Sequence, residues 1–423
     1  MPEADRSEVS TDSGLPVPSL KDAVPVWTKI GLLSFGGPAG QIALMQDEVV
    51  TRRGWIRGES FDRGLAFSMM LPGPEAQQLA TWLGWKLHGV IGGLIAGLAF
   101  IVPGAALMIT LAWLAAAKGD VPIIAAIFAG VQPVAIALVI AAMRKIAGRA
   151  IKQPAHWALA VAAFVALSWL GVPFPLVIAA AALVGVLLPG EDSKALTQDG
   201  PPILRHAAIT LILAAAFVGA VYLFTRSTYG ADPYDDVAVL FTTAALVTFG
   251  GAYAVLPFVA DQAVEAYGWL DAAAMLNGLA IAEATPGPLI LVNTYAGFFA
   301  GWSNSFSASA GVHTAILATI YTFGPSFALI LAFAPAVERL QDIPWARRAL
   351  AGISAAVVGV IAKLVIYLAE AAFIPNGFAD AEWGKLVILV IALVLVFVFR
   401  LGMLALVGFG ICAGLALYAL GLT

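Results

Sequence analysis

The sequence predicts an all-α, polytopic membrane protein made of two inverted-topology repeats, and three observations carry that reading. Hydrophobic residues make up 61% of the 423 and charged residues 11%, where a soluble domain carries about 25% charged. With a mean hydropathy of +0.93, no complete polar shell can be built from this mixture. The chain also contains itself twice, and the basic residues fall on opposite ends of corresponding segments in the two copies.

The duplication is read without a gap. Phe35–Gly36–Gly37 falls on Phe249–Gly250–Gly251, Asp47 on Asp261, Gly54–Trp55 on Gly268–Trp269, and Pro72–Gly73–Pro74 on Pro286–Gly287–Pro288. All share an offset of 214, with 14 identities in the 44 positions from 31 to 74. Apolar composition does not align Gly, Pro, Trp and Asp in register, so this is an internal repeat.

The elements follow in chain order. Residues 1–20 are polar and acidic and read as a disordered tail. They lack the basic start and apolar stretch of a signal peptide, so the N-terminus is expected in the cytoplasm. The first repeat occupies 21–190, with apolar segments at about 89–117, 121–143, 155–170 and 173–189 after its motif region. A polar linker and one extra apolar segment at about 204–225 fill 191–235. The second repeat, 236–423, has segments at about 308–335, 349–369, 383–399 and 401–421. Most are near the roughly 20 residues that a spanning helix needs.

Loops rich in Lys and Arg stay in the cytoplasm. Arg144, Lys145, Arg149 and Lys152 follow the second spanning segment of the first repeat, whereas the matching loop near 371–381 has no basic residue. One loop earlier, the second repeat has Arg339, Arg347 and Arg348, and the first has only Lys118 beside Asp120. The repeats therefore point opposite ways, and the single segment at 204–225 supplies the inversion. Arg52, Arg53, Arg57 and Arg63 on one side of the Pro72–Gly73–Pro74 segment, and Lys86 and His88 on the other, all lie inside only if each motif segment enters, breaks and returns. That gives about nine full crossings, two re-entrant pairs and about 13 apolar helical segments.

Phe35–Gly36–Gly37–Pro38 and Leu71–Pro72–Gly73–Pro74 interrupt apolar stretches with helix breakers. Unpaired backbone in hydrocarbon is tolerated only against protein or a wet cavity. A helix restarting at Pro38 or Pro74 aims free N–H groups and a partial positive charge at the break, a ready site for an oxyanion. With Gly250–Gly251 and Pro286–Gly287–Pro288, several such ends would meet between inverted repeats, where alternating-access transporters hold substrate. The plainer reading is that these residues only kink packed helices.

Polar side chains gather near the breaks: Gln41, Glu75, Gln77 and Gln78 in the first repeat, and Asn277, Glu283, Thr285, Asn293 and Thr294 in the second. Amides and hydroxyls can donate to an oxyanion. Glu75 reads either as a helix-start carboxylate favoured by the dipole or as a protonatable coupling group. Glu283 lies inside an apolar run with no helix start to explain it, which favours the proton-carrying role. Lys29 reads as facing the anion or snorkelling to the interface. Asp47 and Asp261 recur and suggest a fold role; Trp55 and Trp269 suggest interface anchors. Gly89, Gly93 and Gly97 form a stripe compatible with a homodimer or with packing inside one chain.

Several classes are excluded. The net charge of −4 does not suit a nucleic-acid binder. Cys412 is alone, the four histidines are scattered, and no phosphate-binding loop, nucleophile elbow or zinc motif is present. No metal, cofactor or enzymatic constellation is expected.

The paired motifs, the run PGPEAQQLATWLGW, FIVPG at 100–104 and its partner FGPSF at 323–327 resemble the chromate transporter family, in its long two-domain bacterial branch. The resemblance runs from about residue 24 to the end. It implies an inner-membrane protein that exports chromate, a tetrahedral dianion, under the proton-motive force and so confers resistance. Carried over by matched motif, the site positions are Gly36, Gly37, Pro38, Pro72, Gly73, Pro74, Glu75 and Gln78, with Gly250, Gly251, Pro286, Gly287 and Pro288. Ala252 stands where the first repeat has Pro38, and Leu289 where it has Glu75, so the halves are expected to contribute unequally. Transport of sulfate or another oxyanion, and a passive anion channel, remain the alternatives, with membrane lipid as surroundings.

Overall fold

The computed structural model describes residues 15–188, 203–249, 251–337, 344–375, 377, 379 and 381–421, and these are helical without strands. Gly250, residues 1–14 of the expected tail and most of the polar linker lie outside them.

In the first repeat, α1 (Leu20–Leu33) opens on Ser19, whose side chain accepts the Asp22 N–H. The chain then turns through Gly36 (φ 90°) and Gly37 (φ 69°), a conformation that a Cβ would strain. α2 (Gly37–Met45) restarts with Pro38 in its first turn. It runs on as a wider π-helical turn over Gln46–Thr51. α3 (Gly58–Ser68) leads to the second break, and α4 (Glu75–Lys118) leaves it. His88 and Gly89 depart from helical geometry inside α4. Its arms, 75–87 and 90–118, fold back on each other, with Gly84 against Gly92 and Ala96. Gly64 of α3 likewise lies against the Trp82 ring, so α3 and the first arm of α4 form a hairpin around Pro72–Gly73–Pro74.

The second repeat copies this plan. α9 (Tyr234–Val247) reaches the break at Gly251, and α10 (Leu256–Ala260) is again followed by a π-helical turn, Asp261–Ala266. α11 (Ala272–Ala284) and α12 (Val292–Ser305) close a hairpin around Pro286–Gly287–Pro288, with Gly278 against the Tyr295 ring. α13 (Ala308–Phe333) then runs back along α12. The repeat extends to single hydrogen bonds: Trp55 N–H to Val49 O and Trp269 N–H to Ala263 O are both 2.9 Å.

Each repeat ends in three simple helices: α5 (Pro122–Ala150), α6 (Pro154–Ser168) and α7 (Phe174–Leu187), then α14 (Pro344–Phe373), α15 (Trp383–Phe397) and α16 (Met403–Ala419). These six pack largely on one another, α14 against α6 and α7, and α5 against α15 and α16. The broken helices form a second body, in which α4 and α13 pack together and α1, α9 and α12 pack on them. α11 joins the bodies through α5 and α14. The connecting helix, α8 (Ile203–Tyr229), touches α9 and α13 and is otherwise exposed. Among the described residues, five helices are long and apolar enough to span a membrane and five shorter ones are apolar, so the count of about 13 segments is not fixed by length and hydropathy.

Some expectations shift. Trp269 is buried against Tyr267 and Phe241 rather than free to anchor at an interface. Gly93 and Gly97 pack inside the chain, against Thr81, Leu331 and Phe327, while Gly89 makes the turn. Lys29 neither snorkels alone nor faces a break; it is 2.8 Å from Glu48. Glu48 is 1% exposed and also pairs with Arg52 at 3.2 Å and with Arg53, tying α1 to the turn after α2. It lies outside the helices long enough to span. The Lys29 hydrogen bond, against burial and with help from Arg53, holds the Glu48 carboxyl below its ordinary value.

Two predictions follow from this arrangement. Glu48→Gln leaves three cations without their common partner and should cost about 1–2 kcal/mol, since Lys29 and Arg52 are largely solvated. A carboxyl lowered in the folded state stabilises above its unfolded value and loses that effect as pH falls through the folded one. The melting difference between wild type and variant should therefore be full at pH 7 and vanish in acid. An unchanged difference at low pH would refute the ion-pair account. On a Cys412→Ser background, impermeant maleimide should reach Glu59→Cys only from the cytoplasm and Asn304→Cys only from outside; labelling of both from one side would overturn the inverted arrangement.

Candidate functional site

The breaks of the two repeats meet and hydrogen-bond to each other. Gly73 N–H donates to Thr248 O at 2.8 Å, and Gly287 N–H donates to Ser34 O at 3.0 Å. The two bonds are related by the offset of 214, since Ser34 matches Thr248 and Gly73 matches Gly287. The hydroxyls of Ser34 and Thr248 also match, each bonding back to a carbonyl one turn earlier, Ile30 and Ala244. The FIVPG and FGPSF segments complete the crossing: Gly104 approaches Pro286 O of the opposite repeat, and Ser326 approaches Gly73. Every break is thus backed by protein from the other repeat, as a bilayer requires.

The buried amides are part of this lacing. Gln41 Nε2 donates to Gly287 O at 2.6 Å and to Ser34 O at 3.3 Å. Gln78 Nε2 donates to Pro72 O at 2.7 Å. Gln77 accepts from Ser326 Oγ at 2.6 Å and donates to Thr81 at 2.9 Å, and Asn293 donates to Thr322 at 3.2 Å. Gln41 and Gln78 thus spend a donor on carbonyls of the breaks, and Gln77 and Asn293 spend one on the neighbouring hydroxyls of Thr81 and Thr322. Asn277 is drawn off to Gln132 of α5 at 2.7 Å, and Thr294 to Thr319 at 2.8 Å.

The repeats differ at the helix starts. α2 and α4 begin directly at Gly37 and Glu75 without a side-chain cap, leaving the N–H groups of their first turns without helical acceptors. In the second repeat a tight 3₁₀ turn intervenes at each place, Ala252–Ala254 and Leu289–Leu291, and begins to pair those groups. Exposure follows the same division in part. Gly251 to Leu256 and Thr285 to Val292 are buried, whereas Gly36, Ala39 and Met69 are exposed, Gly37, Pro38, Pro72 and Glu75 are half-buried, and Gly73 and Pro74 are buried. Glu75 is half-buried at the start of α4, and the cations acting on its carboxyl are Arg149 and Lys145 of α5.

Glu283 is 4% exposed in the last turn of α11, and the Tyr253 hydroxyl donates to its Oε1. Neither Tyr253 nor Glu48 stands out in the sequence, and Ser34 and Thr248, a hydroxyl pair at the repeat offset, were not singled out there. Among the described residues no cluster could hold a metal ion. An apolar groove of about 610 Å³ lies elsewhere, between α8, α9 and α13.

Comparison with known proteins gives this geometry its family. A chromate transport protein of Pseudomonas aeruginosa is 33% identical over 377 residues, covering 86% of this chain and 84% of its own length. A probable chromate transport protein of Synechococcus elongatus is 29% identical over 84% of this chain and 85% of its own. One from Cupriavidus metallidurans is 25% identical over 90% and 89%. No solved structure matches. Residues 22–186 and 236–415, the two repeats in turn, both match the chromate transporter model. The chain is an integral membrane protein that belongs to the chromate transporter family.

Proposed function

We propose that the protein exports chromate across the inner (plasma) membrane, driven by the proton-motive force, and thereby confers chromate resistance. The relatives' names supply the substrate. The observation that carries the mechanism is the pair of uncapped helix starts, at Gly37–Pro38 and at Pro74–Glu75, on the open side of the crossing.

A tetrahedral dianion fits such ends, where backbone N–H groups and two helix dipoles supply positive potential without a full countercharge. Lys145 and Arg149 bring positive charge to the same side, which raises the local concentration of an anion at the mouth. Gly36, Gly37, Pro38, Pro72, Gly73 and Pro74 form the binding edge. Gln41, Gln77, Gln78 and Asn293 hold its shape, and Gly251, Pro286, Gly287 and Pro288 back it from the second repeat. Glu75 and Glu283 carry the protons. Alternating access moves the broken-helix body against the six-helix body, around α11. In this reading the N-terminus and the open cleft are cytoplasmic, residues 21–190 and 236–423 are the repeats, and 191–235 joins them. Lipid surrounds the outer helices, and the glycine stripe serves packing within one chain, so a homodimer needs another surface.

The test is chromate flux in proteoliposomes with and without an imposed proton gradient, with sulfate as competitor. Gradient-dependent flux that excess sulfate leaves intact is expected. Flux indifferent to the gradient indicates a passive channel, and strong sulfate competition indicates a general oxyanion pathway. Pro74→Ala or Glu75→Gln should lower flux at least tenfold in protein that still inserts; wild-type flux in both removes the proposed site.

A further inference from the structure

We infer that Tyr253 is the positioning residue through which the proton on Glu283 governs the second-repeat break, an inference that rests on Glu283 being a coupling group.

Three observations lead there. Tyr253 follows the break directly, two residues after Gly251, and is 9% exposed. Its hydroxyl donates to Glu283 Oε1 across 30 residues, joining the 3₁₀ turn Ala252–Ala254 to the last turn of α11. Glu283 in turn lies four residues before Gly287, whose N–H and carbonyl both bond to the first repeat, at Ser34 and Gln41. One carboxyl therefore sits between a loop that it can hold or release and the loop that laces the repeats together.

The repeat itself sets this pair apart. Tyr253 corresponds to Ala39 and Glu283 to Met69, so the first repeat has neither group, and both of its positions are exposed. The polar link belongs to the closed half alone. A fold requirement common to both breaks would appear in both.

The surroundings leave the hydroxyl as the group that answers a change of charge on Glu283. From α12, Tyr295 packs its ring on Gly278, about a turn and a half from Glu283 along α11. From α5, Gln132 is held by Asn277. From α14, Lys363 pairs with Asp261, and Tyr367 faces Asp261, Glu265 and Asp271, near the other end of α11. From α4, the Glu75 carboxyl interacts with Arg149 and Lys145. No cation is paired with Glu283 among the described residues, and Tyr253 is its hydrogen-bond partner. A phenol donates strongly to a carboxylate and weakly to a carboxylic acid. Protonation of Glu283 thus loosens the tie to the Ala252–Ala254 turn, and deprotonation restores it.

The experiment compares wild type, Tyr253→Phe, Glu283→Gln and the double variant in proteoliposomes, with chromate flux measured against pH. Tyr253→Phe keeps the ring and removes the donor that favours the charged carboxylate, so its flux profile should move to higher pH by about one unit. Glu283→Gln should flatten the profile, and adding Tyr253→Phe to it should change nothing more. An infrared titration of the buried carboxyl should show the same displacement in Tyr253→Phe, independently of turnover. If Glu283→Gln keeps the wild-type pH profile, the coupling role of Glu283 fails. If Glu283→Gln flattens it but the Tyr253→Phe profile and carboxyl titration coincide with wild type, the role of Tyr253 alone fails.

Discussion

A chain that breaks its helices inside a bilayer must find partners for the backbone groups it frees, because hydrocarbon supplies none. Here each repeat supplies them to the other: Gly73 N–H bonds to Thr248 O, and Gly287 N–H bonds to Ser34 O. The rest of the architecture is arranged around those two bonds. The hairpins of α3 with α4 and of α11 with α12 bring the loops to the crossing. The buried amides Gln41 and Gln78 hold the loop carbonyls. The proline-bearing helices α4 and α13 lay Gly104 and Ser326 against the opposite loop. A side chain larger than hydrogen at Gly73 or Gly287 would adopt a strained backbone, with φ at 126° and 100°, and would also meet packed neighbours.

Symmetry supports the crossing, and departures from it distinguish the proposed site. Two identical repeats would either bury both breaks or open both. Pro38 and Glu75 let α2 and α4 start at once, with their first N–H groups free, while Ala252 and Leu289 lead into tight turns. The second repeat packs through α11 against α5 and α14, and its breaks are buried. The first repeat keeps Gly36 exposed and Gly37, Pro38, Pro72 and Glu75 half-buried. In the proposed mechanism one half serves as the support and the other as the mouth, as alternating exposure of a site requires.

Much of this was legible in the sequence, for a physical reason. Gly, Pro and Trp in register mark backbone geometry, and backbone geometry is what a repeat preserves; hence the breaks, the hairpins and the unequal halves could be read before the fold. The simple helices were legible from length and hydropathy, although α5 runs on to Ala150 and α14 spans Pro344–Phe373, beyond the expected 121–143 and 349–369. Side-chain partners were not. Glu48 looks like one acidic residue in a mixed turn, and only the hairpin brings Lys29, 19 residues earlier, within 2.8 Å of it. Gln41 and Gln78 were read as donors toward an anion, but burial at the crossing presents them with unpaired carbonyls first. Tyr253 passed as one aromatic among many, since nothing local indicates that a carboxyl 30 residues on will lie against it.

The central claim is that the open crossing holds the oxyanion by helix starts rather than by a cationic cage. Anomalous scattering from chromium in crystals of the protein grown with chromate tests it most directly. The account predicts one peak within hydrogen-bond reach of the backbone N–H groups at the starts of α2 and α4, between Gly37 and Glu75. A peak seated on Lys145 and Arg149 alone, or none at the crossing under conditions that support flux, would contradict it.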